Sequence, residues 1–134
     1  MTGSPQAPAT AQPVIVFRRT PCFGTCPHYE ATIYPDGRVQ YDGQQYAPVE
    51  GKREFTLPVA VVSKIKQDAE QLGFFQLREQ YPSSHSDLPS TFLTIRRPDG
   101  TMKLVQAEGE VPPSLKTLFE YIHEEVVKGL GVQK

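Results

Sequence analysis

Both cysteines of the chain lie in one short segment, TPCFGTCPHY, which covers residues 20–29. Cys22 and Cys26 are four positions apart, with Pro21 and Pro27 on their outer sides. Two thiols at this spacing can form a disulfide, bind a soft metal ion or act as a thiol redox pair. The segment therefore offers three alternative kinds of site.

A disulfide is the alternative that the local sequence favours. Gly24 lets the chain fold back between the cysteines, and the two prolines fix φ on either side. The cysteine Cα atoms can then approach to the roughly 4.4–6.8 Å that a disulfide tolerates. So short a ring stabilises a fold by only about 2 kcal/mol in the chain-entropy model, and its main effect is on the shape of the loop. We predict a disulfide between Cys22 and Cys26, and beside it a binding loop formed by Phe23, Gly24, Thr25, His28 and Tyr29.

A metal site would need further ligands, because two thiolates fill only half of a tetrahedral site. His28 follows Cys26 by two residues, and the segment SSHSD at 83–87 adds His85 and Asp87. Thiolate and imidazole ligands suit Cu(I) or zinc. The disulfide prediction involves no cofactor, whereas this alternative is a copper or zinc site formed by Cys22, Cys26, His28, His85 and Asp87.

A thiol redox role is the third alternative. Arg18 and Arg19 lie just before the cysteines and could favour a thiolate, but alternation in a strand directs them to opposite faces, so at most one can serve. The letters of a Ser-His-Asp triad occur together at 83–87, whereas a triad needs residues positioned by separate elements. The sequence therefore favours a binding module over an enzyme.

The composition is that of one globular domain with a polar N-terminal tether. The chain has 134 residues, and its 14 Lys and Arg residues against 15 Asp and Glu residues give a net charge of -1, which does not attract nucleic acid. No apolar run approaches the roughly 20 residues of a membrane-spanning helix. Residues 1–12 combine Pro, Ala, Ser, Thr and Gln, and we predict a disordered tether there, followed by a single domain over 13–130.

Periodicity predicts the elements that must hold the cysteine segment. The segment HYEATIY alternates, with Tyr29, Ala31 and Ile33 on one face. Apolar residues recur at helical spacing over 56–73 and 111–131, and each of these stretches has at least one proline near its start and glycine near its end. We predict an α+β fold of order β-β-β-α-β-β-α, with an antiparallel sheet of 4–6 strands and two helices on one face, and a short edge strand at 52–56 as a further possibility.

Three stretches carry a resemblance to a known family: RTPCFGTCPHYEATIYPDGRVQYDG at 19–43, LGFFQLREQY at 72–81 and SDLPSTFLTI at 86–95. They resemble DUF6438, a bacterial domain family of unknown function with the motif R-T-P-C-F-G-x-C-P-x-Y. Ser90 stands where the pattern tends to have Thr. The resemblance covers most of residues 15–106 and implies the fold unit without implying a reaction.

Members of the family are often exported or lipid-anchored, which agrees with the composition of the tether. We therefore expect a periplasmic or cell-envelope location, where oxidation of the cysteine pair is the default state. The expected protein is a lipoprotein-like monomer whose partner is a protein or another cell-envelope component.

Overall fold

The computed structural model describes residues 12–20, 28–44, 46–81, 90–97, 99–108 and 111–131. Residues 1–11 of the predicted tether lie outside this set. The described elements, in chain order, are β1 (Ile15–Arg19), β2 (Tyr29–Ile33), β3 (Arg38–Gly43), β4 (Gly51–Thr56), α1 (Val59–Leu72), a 3₁₀ turn (Phe74–Gln76), β5 (Gln80–Tyr81), β6 (Thr91–Arg96), β7 (Met102–Ala107) and α2 (Pro113–Leu130).

The strands form one sheet in the order β4-β3-β2-β1-β6-β7-β5. All neighbouring pairs are antiparallel except β5 and β7, which are parallel. The α+β class is confirmed, but the sheet has seven strands, more than we predicted from the sequence. The edge strand expected near 52–56 is present as β4, whereas β5 has two residues, too few to show an alternating pattern.

The hydrophobic core lies between one face of the sheet and the two helices. Alternate residues of the central strands are buried there, among them Ile15, Phe17, Ala31 and Leu93. The helices contribute the stripes that the helical spacing predicts, and their buried residues are Val62, Ile65, Ala69, Leu115, Leu118, Phe119, Ile122, Val126 and Val127. In the part of the chain that the structure describes, no helix is both long enough and apolar enough to cross a membrane.

Helix α2 runs past Gly129, which the sequence places near the helix end. The helix ends at Leu130 and is capped by Gly131, whose φ of 78° is a left-handed conformation typical of a helix C-terminus. Gly129 lies inside α2 against the ring of Phe55 in β4, and a Cβ at residue 129 would overlap that ring. The absence of a side chain at Gly129 therefore lets α2 approach the edge of the sheet.

Candidate binding end of the sheet

The cysteine segment and the segment that contains SSHSD both connect to strands at the same end of the sheet. Arg19, the last residue of β1, is the cross-strand neighbour of both Tyr29 in β2 and Thr91 in β6. The cysteine segment joins β1 to β2, and the segment with the SSHSD sequence precedes β6. We call this end of the sheet the loop end. The predicted site residues that lie outside the described residues are Cys22, Phe23, Gly24, Thr25, Cys26, His85 and Asp87.

Thr20 and Ser90 connect the flanks of these two segments. Thr20 N–H donates to the carbonyl oxygen of Ser90 at 3.0 Å, and Ser90 N–H donates to Thr20 Oγ1 at 2.9 Å. The Thr20 hydroxyl in turn donates to the Ser90 carbonyl at 3.3 Å. Thr20 directly precedes residues 21–27 and Ser90 directly follows residues 82–89, so the hydrogen bonds hold together one flanking residue of each segment.

The row of hydrogen bonds continues across β7 to β5. Ser90, only 7% exposed, donates through its hydroxyl to Glu108 Oε2 at 2.9 Å. Gln106 Nε2 donates to the same carboxylate oxygen at 3.2 Å. Glu108 N–H then donates to the carbonyl oxygen of Tyr81, the last residue of β5, at 2.9 Å. Four strands are thereby joined where they meet the loop end.

His28 directly precedes β2, the strand that follows the cysteine segment. Its carbonyl oxygen accepts a hydrogen bond from Gln44 N–H at 2.8 Å. A shallow cavity of about 170 Å³ lies beside it on the face of the sheet away from the helices. Its lining residues are Arg18, His28, Tyr29, Glu30, Asp42 and Gln44.

Arg18 and Arg19 lie on opposite faces of the sheet, as alternation predicts. The Arg18 guanidinium carbon is 4.2 Å from the centre of the Phe92 ring, on the face away from the helices. Arg19 lies on the helix side, with its guanidinium carbon 5.8 Å from the centre of the Phe17 ring. At the loop end, the positive charge of Arg18 therefore lies on the open face of the sheet and that of Arg19 on the helix side.

Tyr29 lies beneath the loop end in the core, with 1% of its surface exposed. Its hydroxyl oxygen is 2.7 Å from Nδ1 of His123 in α2. Burial raises the pKa of Tyr29 well above its usual range, while the nearby Arg19 guanidinium acts in the opposite direction. The phenol of Tyr29 therefore stays protonated over the physiological pH range. Its contact with His123 joins the start of β2 to α2.

Tyr41 extends this support to the segment between β3 and β4. Its ring centre is 5.5 Å from that of Tyr29, and its hydroxyl donates to the carbonyl oxygen of Val49 at 2.6 Å. Val49 N–H donates back to the same hydroxyl at 3.3 Å. Burial raises the pKa of Tyr41 as well. The aromatic core thus positions a further connection at the loop end.

His123 is the residue of this region that sequence analysis missed. It lies in α2 four residues after Phe119, whose ring packs on Phe17 at 6.2 Å between centres. Spacing of four along a helix was the signal that would have placed His123 beside the apolar stripe. Within the described residues, no three His, Cys, Asp or Glu side chains are grouped as metal ligands would be.

Comparison with known proteins gives a family and no curated relative. No curated protein sequence matches the chain. The sequence profile of the domain of unknown function DUF6438 matches residues 13–126, a range that includes all seven described strands and most of α2. The chain therefore belongs to the DUF6438 family.

Proposed function

We propose that this protein is a small exported binding module whose contact surface is the loop end, with the cysteine segment shaped by a disulfide between Cys22 and Cys26. The observation that carries the proposal is the set of hydrogen bonds between Thr20 and Ser90, because it attaches two segments rich in candidate binding residues to one place. Loops held by a rigid scaffold are common sites of recognition.

The chemistry around this place suits a polar partner. Arg18, His28, Glu30 and Asp42 line one cavity, so both signs of charge are available next to the return of the cysteine segment. Beneath it, the hydrogen bond between the buried Tyr29 and the half-buried His123 holds β2 against α2. The composition of the tether and the tendencies of the family support a partner in the cell envelope, either a protein or another envelope component.

Co-sedimentation with isolated bacterial cell envelopes tests the proposed contact surface. We expect the oxidised protein to sediment with envelopes and Phe23→Ala and His28→Ala each to weaken this binding about tenfold, as truncation of central contact residues does. Lys116→Ala, on the exposed side of α2, is the matched control and should bind as the wild type does. Absence of binding, or binding that neither loop substitution weakens, would contradict the proposal.

Intact mass before and after reduction tests the disulfide. Oxidation removes two hydrogen atoms, so the unreduced protein should be about 2 Da lighter than the reduced one, and alkylation should label both thiols only after reduction. Thiols that are labelled at once in protein purified without a reducing agent would argue against the disulfide.

A copper or zinc site is the second candidate function, and the contact between Thr20 and Ser90 favours it too. His28 follows Cys26 by two residues, and the hydrogen bonds hold Ser90, three residues after Asp87, next to Thr20, two residues before Cys22. Reduced protein titrated with Zn²⁺ or, without oxygen, with Cu(I) should bind one equivalent if this function is real. Loss of that binding in both Cys22→Ser and His85→Ala would distinguish a built site from unspecific thiol binding.

A further inference from the structure

Strand β4 is an edge of the sheet, and we propose that it pairs antiparallel with β4 of a second copy of this chain. β4 has six residues, all in regular register with β3 and none of them proline. No described strand pairs with its outer side. At the opposite edge, the two residues of β5 pair only with Gln106 and Ala107, so β7 has a shorter stretch, Met102–Val105, without a described strand neighbour. The six residues of β4 are the longest open edge of the described sheet.

The hydrogen bonds of β4 show which backbone groups point outward. Leu57 N–H donates to the carbonyl oxygen of Gly37 at 2.8 Å, and these two residues continue the register that pairs Phe55 with Val39. Hydrogen-bonded pairs alternate along an antiparallel ladder, so Phe55 and Arg53 also bond inward to β3. The N–H and C=O groups of Lys52 and Glu54 therefore point away from the sheet.

Among the registers whose twofold axis lies at one of the residues 52–54 of β4, charge selects one. A twofold axis at Lys52 would place two lysines opposite each other, and Glu50 opposite Glu54 of the other copy. An axis at Glu54 would place two glutamates opposite each other. An axis at Arg53 instead places Lys52 of each copy opposite Glu54 of the other, which gives two cross-strand pairs of opposite charge. We infer the register centred on Arg53.

The same register places Gly51 opposite Phe55 of the other copy. A glycine on a strand is well matched by an aromatic residue across from it, because the ring covers the exposed backbone. Phe55 is already held in place by its contact with Gly129. In this arrangement, each Phe55 ring covers Gly51 of the other copy on the helix side. Lys52 and Glu54 form two ion pairs between the copies on the open side.

Arg53 sets a limit on the strength of the association. It faces Arg53 of the other copy at the twofold axis, and like charges directly opposite each other are unfavourable. Its Nη1 also donates to the Lys52 carbonyl oxygen at 3.1 Å, a bond that pairing displaces. One strand pair buries little surface, so the dimer is weak and depends on concentration. It would replace the monomer that we predict from the sequence.

Sedimentation velocity over a concentration series, with charge exchange, tests this pairing. We expect Lys52→Glu and Glu54→Lys each to raise the dimer dissociation constant about tenfold, because each turns two attractive pairs into repulsive ones. The double variant restores both pairs in reverse and should associate as the wild type does. Arg53→Thr should associate more tightly, and Lys116→Glu on α2 serves as the control.

Amide hydrogen exchange gives an independent readout in folded protein. The amides of Arg53 and Phe55 should be protected at every concentration, whereas those of Lys52 and Glu54 should become protected only as the dimer forms. A protein that stays monomeric up to about 1 mM would overturn the proposal. A dimer that withstands both single charge reversals, or that leaves the Lys52 and Glu54 amides unprotected, would overturn it as well.

Discussion

The hydroxyl oxygen of Tyr29 lies 2.7 Å from Nδ1 of His123, and this hydrogen bond joins β2 to α2 beneath the loop end. The two residues are 94 positions apart in the sequence. Tyr29 directly follows His28, so the contact fixes the point at which the cysteine segment returns to the sheet. The helix layer is in this way connected to the proposed contact surface.

Removal of the Tyr29 hydroxyl should destabilise the fold measurably. We expect Tyr29→Phe to lower the free energy of unfolding by about 1–2 kcal/mol, because the partly buried hydrogen bond to His123 is lost. Urea denaturation measures this change. Tyr34→Phe is a matched control, since the Tyr34 hydroxyl donates to Gln40 Oε1 at 3.3 Å in an exposed setting, and it should cost about 0.5 kcal/mol or less. Equal costs for the two substitutions would contradict a structural role for the Tyr29 bond.

The raised pKa of Tyr29 predicts a loss of stability in alkali. An unfolded tyrosine deprotonates near pH 10, whereas burial keeps the folded phenol protonated to higher pH. The contribution of this group is therefore complete below about pH 10 and falls by up to about 1.4 kcal/mol per pH unit above it. Urea denaturation from pH 8 to 11 should show a steeper decline for the wild type than for Tyr29→Phe. Parallel declines would contradict the shift.

Thr20→Val tests the contact between the two segment flanks. Valine has nearly the same shape as threonine but can neither accept from Ser90 N–H nor donate to the Ser90 carbonyl. We expect a loss of about 1–2 kcal/mol in the free energy of unfolding, with faster amide exchange at Ser90. Thr94→Val, on the open face of β6, is the control and should change stability by less than about 0.5 kcal/mol. An unchanged Ser90 amide would argue against this contact.

Gly129→Ala should destabilise the protein although it lies inside a helix. Helix propensity alone predicts a gain of up to about 1 kcal/mol for this substitution. A Cβ at residue 129 overlaps the Phe55 ring, however, and overpacking typically costs about 1–3 kcal/mol. We expect a net loss in thermal denaturation that is smaller when Phe55→Leu is also present. A gain in stability for Gly129→Ala alone would show that α2 and β4 are not in close contact.

Local patterns were enough to predict much of the fold. Alternation placed Tyr29, Ala31 and Ile33 on one face, and all three are buried. Helical spacing gave both helices, because an apolar stripe must face a core wherever the helix lies. Strand β5 was missed because its pairing with β7 depends on residues far away in sequence rather than on a pattern of its own.

The contacts that hold the candidate site were harder to predict, because they too join residues that are far apart in the sequence. The contact between Thr20 and Ser90 spans 70 positions, and neither residue type indicates its partner. His123 looks like one more polar residue beside a helical stripe until β2 is placed against α2. The binding loop and the disulfide between Cys22 and Cys26 both stay predictions, because residues 21–27 lie outside the described residues.

A hydrogen-exchange footprint of the oxidised protein bound to isolated bacterial envelopes tests the location of the contact surface most directly. We predict that the amides of Thr20, His28 and Ser90 exchange more slowly when the protein is bound, while those of Gly37 and Thr101 at the opposite end of the sheet do not change. Slower exchange at Gly37 and Thr101 with no change at the loop end would contradict the account.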